Sequence, residues 1–132
     1  MENKIVVHMK GGEIHKGVTH DFDPEREAFH LLSAEGGGTP IRVDIEKMKA
    51  LFYVKDYIGN RDFVAVRGFD EAHGQERKAV AHFVDGEEIW GFLGHGADER
   101  NTGFFFYPVD KRDNNIRIFV VRSALKELRL VT

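Results

Sequence analysis

Hydrophobic and polar residues alternate along much of this chain with the two-residue period that is typical of β-strands. In residues 4–10, one side of the pattern holds Ile5, Val7 and Met9, and the other side holds Val6, His8 and Lys10. The pair Gly11-Gly12 follows directly and predicts a tight turn, because glycine adopts a positive φ without a steric clash. The chain therefore begins with the pattern of a β-hairpin.

The same alternation predicts five strands in the first part of the chain. Gly17 falls inside the second strand, where a glycine indicates a sharp bend or a close approach of another backbone segment. A short helical turn is expected at Glu46–Lys49. The five predicted strands cover residues 4–10, 13–22, 28–33, 41–45 and 50–56.

Residues 4–32 recur as residues 78–107, which indicates an internal repeat. An offset of 74 residues aligns Gly17 with Gly91, and one extra residue in the second copy then aligns Phe29 with Phe104. Further along, an offset of 75 aligns the Ile-Arg pair at 41–42 with the pair at 116–117, and an offset of 77 aligns Leu51 with Leu128. The chain thus divides into a first repeat (1–56), a connecting segment (57–77) with an expected extra strand at Phe63–Val66, and a second repeat (78–132).

Short, strongly bent strands with internal glycines are typical of small β-barrels. We therefore predict an all-β fold of two tandem five-stranded barrel repeats, packed as one compact unit. The third strand of the second copy, Gly103–Tyr107, reads GFFFY and is aromatic on both faces. One face should meet its own core and the other should meet the sister repeat or a partner chain.

The first copy contains two motifs of regularly spaced residues. The first is formed by Val7, Met9, Gly12, Glu13, Gly17, Val18, Phe22, Asp23, Phe29 and Leu31, and the second by Ile41, Val43, Ile45, Met48 and Leu51. The first motif resembles the first conserved motif of Sm and LSm proteins and of the bacterial RNA chaperone Hfq, and the second lies where that fold has its second motif. Residues 103–121 also resemble a group of small bacterial proteins of unknown function. The Sm resemblance implies an Sm-like barrel for each copy and single-stranded RNA as a ligand.

The chain departs from that family at the residues that bind RNA there. The Sm pattern has an Asp and an Asn in the loop after the second strand, and of the two copies only the second has a candidate asparagine, Asn101. The family's Arg-Gly pair is absent, because Arg42 precedes Val43 and Arg117 precedes Ile118. The formal net charge is −3, and no segment forms a basic run of the kind that supplies affinity for phosphates.

No motif in the sequence predicts catalysis. The seven histidines lack zinc-ligand spacing, and there is no cysteine. The glycine-containing loops do not match a phosphate-binding loop, and the motifs of PilZ-type nucleotide sensors are absent. We therefore expect no enzymatic activity, no metal and no cofactor.

Two hypotheses remain for the function. The first is a non-enzymatic interaction module that binds protein partners, or a second copy, through its barrel edges and its aromatic strand. The alternative is a degenerate Sm-type binder of single-stranded RNA. A monomer or homodimer is expected. A cytoplasmic location without membrane insertion is expected as well, since no apolar segment resembles a signal peptide or a membrane span. The candidate binding residues are Arg26, Arg42, Arg100, Asn101, Phe104, Phe105 and Arg117.

Overall fold

A computed structural model describes residues 3–36, 38–59, 67–69, 77–110 and 112–131. These residues form ten β-strands, two short 3₁₀ turns at Ile45–Lys47 and Arg122–Ala124, and no α-helix. The first repeat contains β1 (Ile5–Met9), β2 (Ile14–Val18), β3 (Ala28–Ser33), β4 (Ile41–Asp44) and β5 (Met48–Val54). The second contains β6 (Lys78–Phe83), β7 (Glu88–Leu93), β8 (Gly103–Pro108), β9 (Asn115–Val121) and β10 (Leu125–Val131).

All ten strands belong to one antiparallel sheet, in the order β10-β6-β7-β8-β9-β5-β1-β2-β3-β4. The all-β prediction is confirmed, and each half of the chain contributes five strands to the sheet. The sheet is not closed into a barrel, because β5 pairs with β9 of the other copy while β4 and β10 lie at opposite ends of the strand order. The predicted pair of closed barrels is thus replaced by one continuous sheet.

The sheet buries side chains on both faces, in two separate hydrophobic clusters. We call the cluster around the first repeat the first core and the other the second core. The first core contains Ile5, Val7, Phe29, Leu31, Val43, Ile45, Met48, Leu51, Tyr53, Phe119 and Val121. The second core contains Val6, Ala50, Phe52, Val54, Ala79, Ala81, Phe83, Phe104, Phe106, Ile118, Val120 and Ala124.

Each core also contains residues from the other repeat, on the face of the strand that points away from that repeat's own core. Phe119 and Val121 of β9 pack into the first core, while Ala50 and Phe52 of β5 pack into the second. Strand β5 lies between the two cores, and all seven of its residues are buried. This arrangement makes the junction of β5 and β9 the centre of the molecule.

The strand register corrects one alignment of the repeat. Phe29 lies opposite Val43 in the first copy, and its counterpart Phe104 lies opposite Val120 in the second. The fourth strands are therefore related by an offset of 77 residues, so Arg42 corresponds to Phe119 and not to Arg117. The offset of 75 was wrong because the same Ile-Arg pair occurs in both segments by coincidence of composition.

The glycines inside the second strands lie where another backbone segment approaches closely, as predicted. A Cβ on Gly17 would lie 1.9 Å from the carbonyl oxygen of Leu32, and one on Gly91 would lie 2.3 Å from that of Tyr107. Neither distance leaves room for a side chain. The absence of a side chain at these two positions allows the backbones of β2 and β3, and those of β7 and β8, to approach each other closely.

The described part of the connecting segment packs against both repeats. The Tyr57 hydroxyl donates a hydrogen bond to the Gly17 carbonyl oxygen at 3.0 Å. The ring centroid of Phe69 lies 5.4 Å from that of Trp90 on β7. The predicted strand Phe63–Val66 falls outside the described residues.

An ion pair links the two repeats beside β5. The Lys49 ammonium contacts Asp85 at 2.7 Å and also pairs with Glu87, and both carboxylates lie in the turn between β6 and β7. Burial lowers the pKa of Lys49, but the two carboxylates outweigh that effect and the net direction is upward. Lys49 therefore remains charged and joins the first repeat to the β6–β7 hairpin.

Candidate functional site

The corresponding loops of the two repeats meet across a cleft of about 250 Å³. Residues 23–25 of the β2–β3 loop form one side, and His95, Glu99 and Asn101 of the β7–β8 loop form the other. Phe105 and Phe119 also line the cleft. The cleft arises because β5 and β9 pair, which places these loops at the same end of the sheet.

The cleft is acidic. Its lining includes Asp23, Glu25 and Glu99, and none of the described residues that line it is a lysine or arginine. Arg26 is exposed and lies 3.7 Å from the Asp23 carboxylate, and Arg100 is exposed in the opposite loop. The described structure therefore does not bring the loop arginines together into a basic surface at this cleft.

Asn101 is held by neighbours within the protein. Its side-chain oxygen accepts a hydrogen bond of 3.4 Å from the Arg122 Nε, and its amide nitrogen donates to Glu99 at 3.3 Å. Arg122 also donates to the carbonyl oxygens of Gly96 and Ala97. This network fixes the shape of the β7–β8 loop.

Arg117 lies in an aromatic stack on the outer face of β9. Its guanidinium carbon is 4.2 Å from the ring centroid of Tyr53 and 4.8 Å from that of Phe105. Burial raises the pKa of the Tyr53 hydroxyl, and the nearby Arg117 opposes that increase. Phe105 also contacts Phe119 edge to face, so the stack continues into the first core.

The remaining two predicted residues lie apart from the cleft. Phe104 is fully buried in the second core and offers no surface to a partner. Arg42 lies on β4, where its Nε donates to the Asp44 carboxylate at 3.1 Å. The structure thus brings Asn101 and Phe105 together at one cleft and leaves Arg42 on the edge strand at the end of the sheet.

The two terminal strands of the sheet differ in what they present. Strand β4 has four residues, and its outward side chains, Arg42 and Asp44, are paired with each other. Strand β10 has seven residues, and the Leu130 side chain is 58% exposed. Strand β4 also exposes a large hydrophobic side chain, since Ile41 is 43% exposed. The β10 edge is the longer of the two, and length favours pairing of an edge with another strand.

The hydrogen-bond directions along β10 follow from those of β6. The Phe83 N–H donates to the carbonyl oxygen of Glu87, just before β7, and the Val84 N–H donates to that of Ala124, just before β10. Because these directions alternate along an antiparallel strand, the residues of β6 opposite Glu127 and Arg129 bond to β10. The backbone groups of Leu128 and Leu130 are consequently directed away from β6.

The sequence did contain a signal for this edge. Glu127 and Arg129 occupy the positions that Ala50 and Phe52 occupy in the first repeat. The first-repeat residues are buried against the sister repeat, whereas the charged pair is exposed. A comparison of the fifth strands would therefore have predicted that β10 lacks the neighbour that β5 has.

The described residues provide no metal site and no membrane-spanning helix. No group of three or more histidine, aspartate or glutamate side chains among them is arranged to hold a metal ion. No helix within the same residues is long and apolar enough to cross a bilayer.

Comparisons with known proteins identify a family and no individual relative. The model of a family described as "Family of unknown function (DUF6982)" matches residues 1–132. No curated protein matches the chain. No solved structure matches it either, so the resemblance to Sm proteins gains no support from these comparisons.

Proposed function

Since the chain belongs to the DUF6982 family, whose description gives no activity, we propose from its geometry that it is a non-enzymatic protein-interaction module. In this proposal a partner adds an extended segment to the sheet along β10. The observation that carries the proposal is that β10 is the last strand of the sheet among the described residues, and that its Leu128 and Leu130 backbone groups are directed away from β6. Strand addition uses such groups for affinity and the alternating side chains for specificity.

The side chains of β10 support this use of the edge. Leu130 is exposed, and Leu128 packs against the second core while remaining partly accessible. A strand added beside β10 would extend the hydrophobic surface of the second core.

The proposed location is the cytoplasm.

Binding of single-stranded RNA is the weaker candidate. The inter-repeat cleft presents three carboxylates, and phosphate binding needs clustered cations. The predicted stacking residue Phe105 already contacts Arg117 and Phe119 within the protein. These charges and contacts favour a protein partner.

We also propose that the two repeats are open variants of Sm-like barrels. Sm-type barrels associate by pairing the fourth strand of one with the fifth of the next. Here β9, the fourth strand of the second copy, pairs with β5, the fifth of the first. This pairing and the close backbone approach at Gly17 and Gly91 support the proposal.

In-cell photo-crosslinking tests the proposed function. The photoreactive residue p-benzoylphenylalanine replaces Leu130, and a matched control places it at Ile116 on the interior strand β9. The two side chains are similarly exposed, at 58% and 56%. We expect a protein adduct at position 130 that is nuclease-resistant and absent at position 116.

Mass spectrometry of the adduct should identify an extended segment of the partner. In the purified complex, amide exchange at Leu128 and Leu130 should slow. A nuclease-sensitive adduct would instead favour RNA, and no adduct at position 130 would overturn the proposal.

A further inference from the structure

We propose that the partner at β10 is a second copy of this chain, bound as an antiparallel β10–β10 pair about a twofold axis at Leu128. This inference rests on the proposed function of the edge. It specifies the occupant, the register and the residues that select it. The resulting dimer would contain one sheet of twenty strands, since each chain contributes ten.

The backbone directions restrict the registers that such a pair can adopt. Leu128 and Leu130 direct their N–H and C=O groups outward, whereas Glu127 and Arg129 direct theirs toward β6. In an antiparallel pair, opposite residues must both face the partner or both face away from it. The twofold axis must therefore pass beside one residue, which lies opposite the same residue of the second copy. The choice of that residue decides which charged side chains lie opposite each other.

Only the register centred on Leu128 opposes unlike charges along β10. It places Glu127 opposite the second copy's Arg129, and the twofold axis generates this contact twice. A centre at Glu127 opposes two glutamates, and a centre at Arg129 opposes two arginines. Directly opposed charges in antiparallel strands stabilise when unlike and destabilise when like, so the sequence selects the Leu128 register.

The geometry of the selected register fits both faces of the strand. Leu128 exchanges backbone hydrogen bonds with its own counterpart, and the two leucine side chains extend the second core across the twofold axis. Glu127 and Arg129 form a non-hydrogen-bonded pair, in which side chains approach more closely than in the hydrogen-bonded type. The Arg129 guanidinium already lies over Trp90, with 5.7 Å between its carbon and the ring centroid, which restricts it to the outer face.

A charge-swap experiment tests the dimer. Light scattering and sedimentation should show the unmodified chain dimerising in a concentration-dependent way. Glu127→Arg leaves two arginines on each edge and Arg129→Glu leaves two glutamates, so each variant alone should dimerise about tenfold or more weakly. An equimolar mixture of the two variants should form a heterodimer, because the unlike charges are then restored.

Circular dichroism of each variant provides the control for folding, and Lys55→Glu, outside β10, provides a charge control that should leave dimerisation unchanged. The mixture separates a charge effect from misfolding, since two misfolded variants would not restore each other. A monomeric parent chain, or a mixture that stays monomeric, would overturn the dimer. The proposed function would still stand if the residue at position 130 cross-linked to a different protein, and it would fail if no protein adduct formed.

Discussion

At the scale of single residues, the two glycines of the second strands make the most specific prediction. Gly17→Val and Gly91→Val would each force a side chain against a backbone carbonyl oxygen, at distances of 1.9 and 2.3 Å from the Cβ. We expect each substitution to lower the free energy of unfolding by about 3 kcal/mol or more, through overpacking.

Urea denaturation of the two variants measures this loss. Gly11→Ala is the control, because the nearest atom to its Cβ is a side-chain oxygen of Glu13 at 3.3 Å, and no backbone atom of the described residues beyond its two chain neighbours lies within 4 Å. Its effect should stay within about 0.5 kcal/mol. A valine variant at position 17 that is as stable as the parent would contradict the close approach of β2 and β3.

Asp21 gives a prediction for pH dependence at the same scale. Hydrogen bonds from the His30 side chain and backbone N–H, at 2.8 and 2.9 Å, lower the pKa of Asp21 from 3.8 to about 2. Because folding lowers this pKa, the ionised carboxylate stabilises the fold at any pH above the pKa that Asp21 has in the unfolded chain. That contribution is lost as the pH falls from about 4 toward 2.

Asp21→Asn should therefore reduce stability near neutral pH by about 1 kcal/mol, a value discounted because the side chain is 39% exposed. The difference from the parent should shrink below pH 4. Urea denaturation at several pH values measures both quantities, with Glu35→Gln on an exposed loop as control. A difference that is the same at all pH values would refute the role of the ionised carboxylate.

At the scale of elements, the backbone directions of β10 distinguish two neighbouring positions. Leu130 directs its N–H outward, and Arg129 directs its N–H to β6. Proline lacks this donor and is tolerated at strand edges only where the N–H faces away from the sheet. Leu130→Pro should retain the fold and abolish pairing at the edge, whereas Arg129→Pro should destabilise the fold by about 3 kcal/mol.

Thermal denaturation and light scattering of the two variants separate these effects. Leu130→Ala controls for loss of the side chain and should weaken pairing less than Leu130→Pro does. Equal destabilisation by both prolines would show that the assigned hydrogen-bond directions are wrong.

Strands and their repetition could be predicted from sequence, because alternation reports which side of a strand is buried. It does not report which strand lies beside which. The run from Met48 to Val54 is buried on both faces, and that burial depends on Phe119 and Val121 from the other repeat. The same limit explains Phe104: alternation makes GFFFY aromatic on both faces but cannot decide that Phe104 faces the second core.

The candidate site was predictable only in part, for a related reason. Asn101 of the β7–β8 loop and Phe105 of β8 face residues 23–25 across the cleft because β5 and β9 pair, and that pairing joins segments distant in sequence. The acidic character of the cleft emerges from carboxylates of both loops together. Hydrogen-bond directions along β10 require the register of three strands, which no local pattern contains.

At the scale of the whole molecule, the charges at the two sheet ends oppose a ring of chains. In the internal junction Ala50 lies opposite Val120, and Leu51 lies opposite Phe119. The same junction between two chains would place Glu127 opposite Val43, and Leu128 opposite Arg42. It would bury the Glu127 carboxylate, and the Arg42–Asp44 ion pair, against apolar side chains. Removing such charges from water costs several kcal/mol per ion.

We therefore expect that the chain does not form the three-chain ring that six Sm-like repeats would need, and that light scattering at several concentrations shows no trimer. Replacing the charged residues of β10 and β4 by the residues found at the equivalent positions of β5 and β9 should allow chains to associate end to end. The variant with Glu127→Ala, Arg129→Phe, Arg42→Phe and Asp44→Val carries apolar residues at both ends and should form assemblies larger than a dimer. Changing only the β10 pair is the matched control, since the β4 edge keeps its charges and head-to-tail growth should remain blocked. A stable trimer of the unmodified chain would show that these charges do not prevent the junction.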